Sequence, residues 1–271
     1  MDRRTFATAA IASSCLAATG VAADPKLVTR ELYELRTYII KSSKQSLLDA
    51  YLKEAFIPAL RRMDFGPVGV FNETDRFDRE VLTDTKTDTS AAKDMQRVLV
   101  LIVHRKPESF VSLPATLSGD RVYLKAADEF LAARADDPAY VRIWSSLLYA
   151  FDGMPKLEKP DTSKPRLFQL RVYESHNERA AAKKVEMFES EEIAIFRRCG
   201  MTPVFFGSGL TGMPCVTYLL VFPDEEGKNA AWSKFGMDSQ WQTLKSNPAY
   251  AEANVSKIVN VVMTPRPYSE I

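Results

Sequence analysis

Leu32-Tyr33-Glu34-Leu35-Arg36-Thr37-Tyr38 decides the reading of the chain, because it returns as Leu167-Phe168-Gln169-Leu170-Arg171-Val172-Tyr173. Arg36 and Arg171 stand 135 residues apart, and further anchors follow in the same order. Arg61-Arg62 matches Arg197-Arg198, Pro67-Val68 matches Pro203-Val204, 98–103 matches 217–222, and 137–140 matches 247–250. Ordered repetition of this kind implies a duplicated unit. The separation shrinks along the chain, so the first half is the longer. Its extra residues are expected at 78–95 and in part of 107–127.

Each copy alternates as a strand does. Leu32, Glu34, Arg36 and Tyr38 share one face, and Tyr33, Leu35, Thr37 and Ile39 share the other. The second face is mostly apolar and is expected to pack on helices. The first, repeated as Leu167, Gln169, Arg171 and Tyr173, is then either solvated or lines a polar interior.

Each half reads β-α-β-β-α-β. In the first, strands are expected at 32–40, 67–72, 97–104 and within 141–151, with helices over about 44–63 and 121–134. Ser42 to Gln45 has capping-box spacing, and Pro58 is expected to kink the helix that follows. The polar stretch 79–93 suits a loop or an exposed hairpin. In the second half, strands are expected at 166–173, 202–207, 216–222 and 257–263. Asn177 is expected to cap a helix whose inward stripe is Val185, Phe188, Ile195, Phe196 and Cys199, and a second helix begins near 228. The segment 154–165 holds three prolines and reads as a linker.

Residues 1–23 read as a targeting segment. Arg3-Arg4-Thr5-Phe6 is a twin-arginine pattern ahead of a short, weakly apolar run, with Val21-Ala22-Ala23 as a cleavage region. The run is too short to span a bilayer, and no later segment reaches a transmembrane length. The expected location is therefore outside the cytoplasm, by the twin-arginine route or by an ordinary secretory one. The 271 residues carry 36 Lys+Arg and 35 Asp+Glu. Without Arg3, Arg4 and Asp2 the remainder is neutral and shows no basic stripe, so nucleic acid is not an expected partner. Beyond the leader the cysteines are Cys199 and Cys215, which could pair or stay free.

Glu34-Leu35-Arg36-Thr37-Tyr38, the Asp238-Ser239-Gln240-Trp241 segment and the proline-rich end at 263–268 resemble the NIPSNAP family. The resemblance covers most of both halves and is stronger in the second. In the first, Asp128 is taken as the counterpart of Asp238, with Leu131 in place of the Trp. The family is similar in fold to the dimeric α+β barrels. The resemblance therefore implies an α+β chain of two ferredoxin-like βαββαβ units, forming a pseudo-dimeric α+β barrel with helices outside. The expected divisions are a signal peptide at 1–23, NIPSNAP-like domains at 27–153 and 166–271, and the linker at 154–165. It further implies that Glu34, Arg36 and Tyr38, and Gln169, Arg171 and Tyr173, point into a shared interior. Barrel relatives include cofactor-free monooxygenases, isomerases and haem-dependent dismutases, which is analogy at the level of fold.

His104 and His176 have no partner at metal-ligand spacing, and no nucleotide or nucleophile motif occurs. Neither a metal nor a cofactor is expected, and no catalytic residue is identified. The Glu189-Ser190-Glu191-Glu192 run reads as a solvated helix face. The ligand-binding candidates are Arg36, Tyr38, Arg171 and Tyr173: a guanidinium offers a fork of donors to an anionic or carbonyl oxygen, and the tyrosines could donate to the same ligand. The competing reading pairs each Arg with Glu34 or another carboxylate. The function expected is that of an exported binding or interaction protein with a small-molecule or protein partner. The alternative is a cofactor-free monooxygenase or isomerase working in the barrel interior.

Overall fold

The computed structural model describes residues 29–74, 94–253 and 255–271. The expected leader at 1–23 and the whole polar stretch at 79–93 lie outside them. The first half runs β1 (Leu32–Lys41), α1 (Gln45–Ala50), a π-helical turn (Tyr51–Phe56), α2 (Ile57–Arg62), β2 (Val68–Glu73), β3 (Met95–His104), α3 (Pro107–Gly119), α4 (Arg121–Ala126), α5 (Asp128–Leu131) and β4 (Arg142–Ala150). The second runs β5 (Leu167–Glu174), α6 (Glu178–Met187), a π-helical turn (Phe188–Glu192), α7 (Ile193–Arg198), β6 (Thr202–Gly209), β7 (Cys215–Phe222), α8 (Glu225–Met237), α9 (Ser239–Lys245) and β8 (Lys257–Pro265).

The first half orders its strands β4-β1-β3-β2 and the second β8-β5-β7-β6, the same ferredoxin-like order twice. Each such sheet alone leaves two open edges with unpaired backbone groups. Here the edges satisfy one another. β2 pairs with β8 around Asn72 and Thr264, and β4 pairs with β6 around Tyr149 and Ser208. The result is one closed, eight-stranded antiparallel barrel, an α+β pseudo-dimer made from a single chain. The prolines at 155, 160 and 165 do not make a loose tether: Met154 is buried, and Glu158 N–H donates to the Val204 carbonyl.

Three apolar cores result. One lies inside the barrel and contains Tyr33, Leu101, Leu148, Phe168, Leu170, Phe205 and Leu219. The other two lie between each half-sheet and its helices. At roughly 1.5–3 kcal/mol per fully buried large side chain, the lumen is a main support of the fold. Packing there is tight: a Cβ added at Gly207 would come within 2.9 Å of the Leu148 Cβ.

This arrangement reverses the expected faces of β1 and β5. Tyr33, Leu35, Phe168 and Leu170 face the lumen, while Tyr38 and Tyr173 belong to the sheet–helix cores. Arg36, Tyr38, Arg171 and Tyr173 therefore point toward the helices and not into a shared interior. The physical reason lies in the lumen, where two sheets must bury apolar faces against each other. The helical layer leaves room beside β1 and β5 for polar groups.

The local signals were uneven. Asn177 caps α6, accepting from Ala180 N–H at 2.9 Å. The Ser42 capping box does not form; its hydroxyl donates to the Asp94 carbonyl. The π turn before Pro58 recurs in the second half, where Ala194 holds the corresponding place, so the turn belongs to the fold and not to proline. The region 107–119, expected in part as an insertion, is helix α3 and the counterpart of α8. Asp120, not Asp128, corresponds to Asp238. Each caps a short helix, α4 or α9, and each pairs with the matching Arg, Arg62 or Arg198. Tyr123 then stands where Trp241 does. Cys199 and Cys215 are free thiols. Among the described residues no helix is long and apolar enough to cross a membrane.

Candidate functional site

Strand pairing puts Arg36 of β1 beside Ser145 of β4, and Arg171 of β5 beside Asn260 of β8. The same backbone scaffold thus presents an Arg and a short polar neighbour in each half. The candidate residues form two separate grooves, one per half, and do not converge on one site.

In the first groove the Arg is fully engaged. Arg36 Nε and Nη2 both lie 2.9 Å from Glu34 Oε1. The same oxygen accepts from Ser145 Oγ at 2.8 Å, and Glu34 Oε2 lies 3.3 Å from His104 Nε2. His104 is fully buried, with Ser109 Oγ at 3.0 Å from its Nδ1. Burial pushes the Glu34 carboxyl up, but His104, Arg36 and Ser145 together hold it below its usual value. The Arg36 guanidinium sits 5.1 Å from the Phe56 ring centre. Burial pushes the Tyr38 hydroxyl up, Arg36 pulling the other way, so Tyr38 is a neutral neighbour and not a base.

The second groove has the same Arg without the carboxylate. Gln169 replaces Glu34, and its amide is committed elsewhere: Nε2 donates to Asn260 Oδ1 at 2.7 Å, and Oε1 accepts from Trp232 Nε1 at 2.6 Å. Arg171 forms no ion pair among the described residues, and its Nε is buried without a hydrogen-bond partner. Its guanidinium lies 4.5 Å from the Trp232 ring centre and 5.3 Å from that of Tyr173. Tyr218 donates to the Tyr173 hydroxyl at 2.7 Å. Burial pushes both phenols up, so both stay neutral. Asn260 and Ile258, which pair with Arg171 and Tyr173 across β5 and β8, are exposed.

Sequence reasoning missed the contact of His104 with Glu34 and one further feature of this site. Glu192, expected on a solvated face, is buried and lies 2.8 Å from the buried Lys184. Lys184 Nζ also sits 4.6 Å from the Phe188 ring centre. Glu192 stands four residues after Phe188 and four before Phe196, so it falls on the inward stripe itself, and reading the acidic run as a solvated face overlooked that spacing. Among the described residues no cluster of three His, Cys, Asp or Glu side chains could hold a metal ion.

A closed barrel of two ferredoxin-like units defines the fold class of the protein. The family model named NIPSNAP matches residues 168–270, so the second half is a NIPSNAP domain. Among solved structures, a proposed monooxygenase of Fusobacterium nucleatum is 9% identical, covering 88% of this chain and 94% of its own, with a TM-score of 0.57. A second proposed monooxygenase, from Lactobacillus acidophilus, is 8% identical over 87% of this chain and 94% of its own, with a TM-score of 0.54. At such identities the likeness is one of fold. A NIPSNAP-like domain protein of Burkholderia xenovorans is 20% identical over 38% of this chain and 88% of its own, with a TM-score of 0.35. Among curated proteins none matches the sequence.

Proposed function

We propose that this chain is a small-molecule-binding protein whose site is the second-half groove around Arg171. The observation that carries the reading is the buried Arg171 Nε without a partner, beside an exposed Asn260 and a Trp232 wall. An unsatisfied buried donor costs roughly 1–3 kcal/mol, and an anionic or carbonyl oxygen from a ligand would remove that cost. Tyr173 is the neutral second wall. On this reading Arg36 and Tyr38 are structural, because Glu34 already occupies Arg36.

Native mass spectrometry tests the reading. The purified chain should carry a small ligand that dissociates on denaturation, and Arg171→Met should carry none. An equal ligand content in both would refute it. The oxygenase or isomerase alternative draws on the fold shared with the two proposed monooxygenases. The apolar packing of the lumen speaks against a reaction there, and the tyrosines of the second groove are held neutral.

Two further elements complete the proposal. The first half is a second, diverged NIPSNAP unit, supported by the ordered repeats and the identical strand order. The protein is exported, on the strength of Arg3-Arg4 alone. Changing both to Lys should leave precursor in the cytoplasm, and normal processing of that variant would remove the twin-arginine route.

A further inference from the structure

The two grooves are internal controls for each other. In the first, Glu34 Oε1 gathers Arg36 Nε, Arg36 Nη2 and Ser145 Oγ, all within 2.9 Å. That oxygen marks where the scaffold receives a carboxylate. In the second, the corresponding side chain is Gln169, turned to Asn260 and Trp232, and Arg171 Nε has no partner. One carboxylate is missing from an otherwise repeated arrangement.

We infer that the ligand of the second groove is a small organic monocarboxylate, and that Glu34 is its built-in counterpart in the first. The inference rests on the proposed role of Arg171 as the ligand-binding residue. Charge favours one carboxylate over a phosphate. Lys184, the other cation near Tyr173, is tied to Glu192 at 2.8 Å, and Glu192 also feels Arg171, so the three groups leave the groove one net positive charge and not two. A guanidinium fork matches a planar carboxylate with two parallel hydrogen bonds. Trp232, whose face lies on the guanidinium, and Ile258, exposed on the helix-facing side of β8, offer an apolar surface for the body of the acid. Selection for one monocarboxylate per chain follows, since the first groove supplies its own.

The test uses the whole chain with benzoate, hexanoate and inorganic phosphate, read by thermal shift and calorimetry. The carboxylates should raise the Tm and bind at one site per chain, and phosphate should do neither. Gln169→Glu should restore the first-half arrangement. Its affinity for the carboxylates should fall by roughly 10- to 100-fold, as for loss of a charge-assisted hydrogen bond, while its own Tm without ligand rises. Binding of phosphate in preference to the carboxylates would overturn the ligand class while leaving the site in place. Undiminished carboxylate binding by Gln169→Glu would overturn the parallel between the grooves. A wild-type chain that responds to neither carboxylate overturns the inference, whereas the native-mass comparison of Arg171→Met decides the site itself.

Discussion

Glu34 shows how one residue decides the character of a site. It is buried, and Arg36, Ser145 and His104 all face it. Its carboxyl is held below the unfolded value, so the stabilisation it provides is present above the unfolded pKa and is lost as pH falls through the lower folded value. Glu34→Gln should therefore be less stable than wild type at neutral pH. Urea unfolding as a function of pH should show the gap closing below about pH 4.5, the ordinary value for a glutamate carboxyl. A gap that stays constant down to pH 3 would remove the charge from the explanation. The pairing of Arg36 with Glu34 was legible in the sequence as one of two options, since both residues share a strand face. The loss of that pairing around Arg171 was legible too, in the change from Glu34 to Gln169, but only once the partner of Arg36 was known. His104 was not legible, because its role depends on β3 lying beside β1.

At the scale of elements, the strands and their order followed from alternation and from the repeat. The inversion of faces did not, because Tyr33-x-Leu35 is apolar enough to suit either helices or a second sheet. Helix α3 was obscured by Pro114 inside it and by Val111 exposed on it, which blur the helical stripe. The acidic run 189–192 hid Glu192, although its spacing from Phe188 and Phe196 is that of the inward stripe. The first-half residues at the positions of Lys184 and Glu192 are Leu48 and Phe56, both buried and apolar. Removing one partner of a buried ion pair is costly, while replacing both by packed apolar groups is often neutral or favourable. Lys184→Leu alone should thus cost about 3–5 kcal/mol in chemical denaturation. The double variant Lys184→Leu, Glu192→Phe should recover most of that loss. If the double variant is no better than the single one, the second half needs this pair for more than charge balance. A separate check concerns the lumen. Gly207→Val should cost about 1–3 kcal/mol through overpacking against Leu148, read from the same denaturation curves.

At the scale of the molecule, one duplicated unit carries two differently engaged arginines. Closure of the barrel buries the edges and the inner faces of both halves, so neither half is complete without the other. The scaffold and its Arg are kept in each half, but Arg36 is a structural cation and Arg171 an open one. That difference is the central claim, and matched substitutions test it most directly. Arg36→Met and Arg171→Met should be compared by urea unfolding at neutral pH. Arg36→Met should lose about 3–5 kcal/mol, because Glu34 is left buried without its main cation. Arg171→Met, freed of an unsatisfied donor, should change by less than about 1 kcal/mol in the ligand-free chain. Equal losses in the two variants would mean that Arg171 is as deeply paired as Arg36, and would contradict the account.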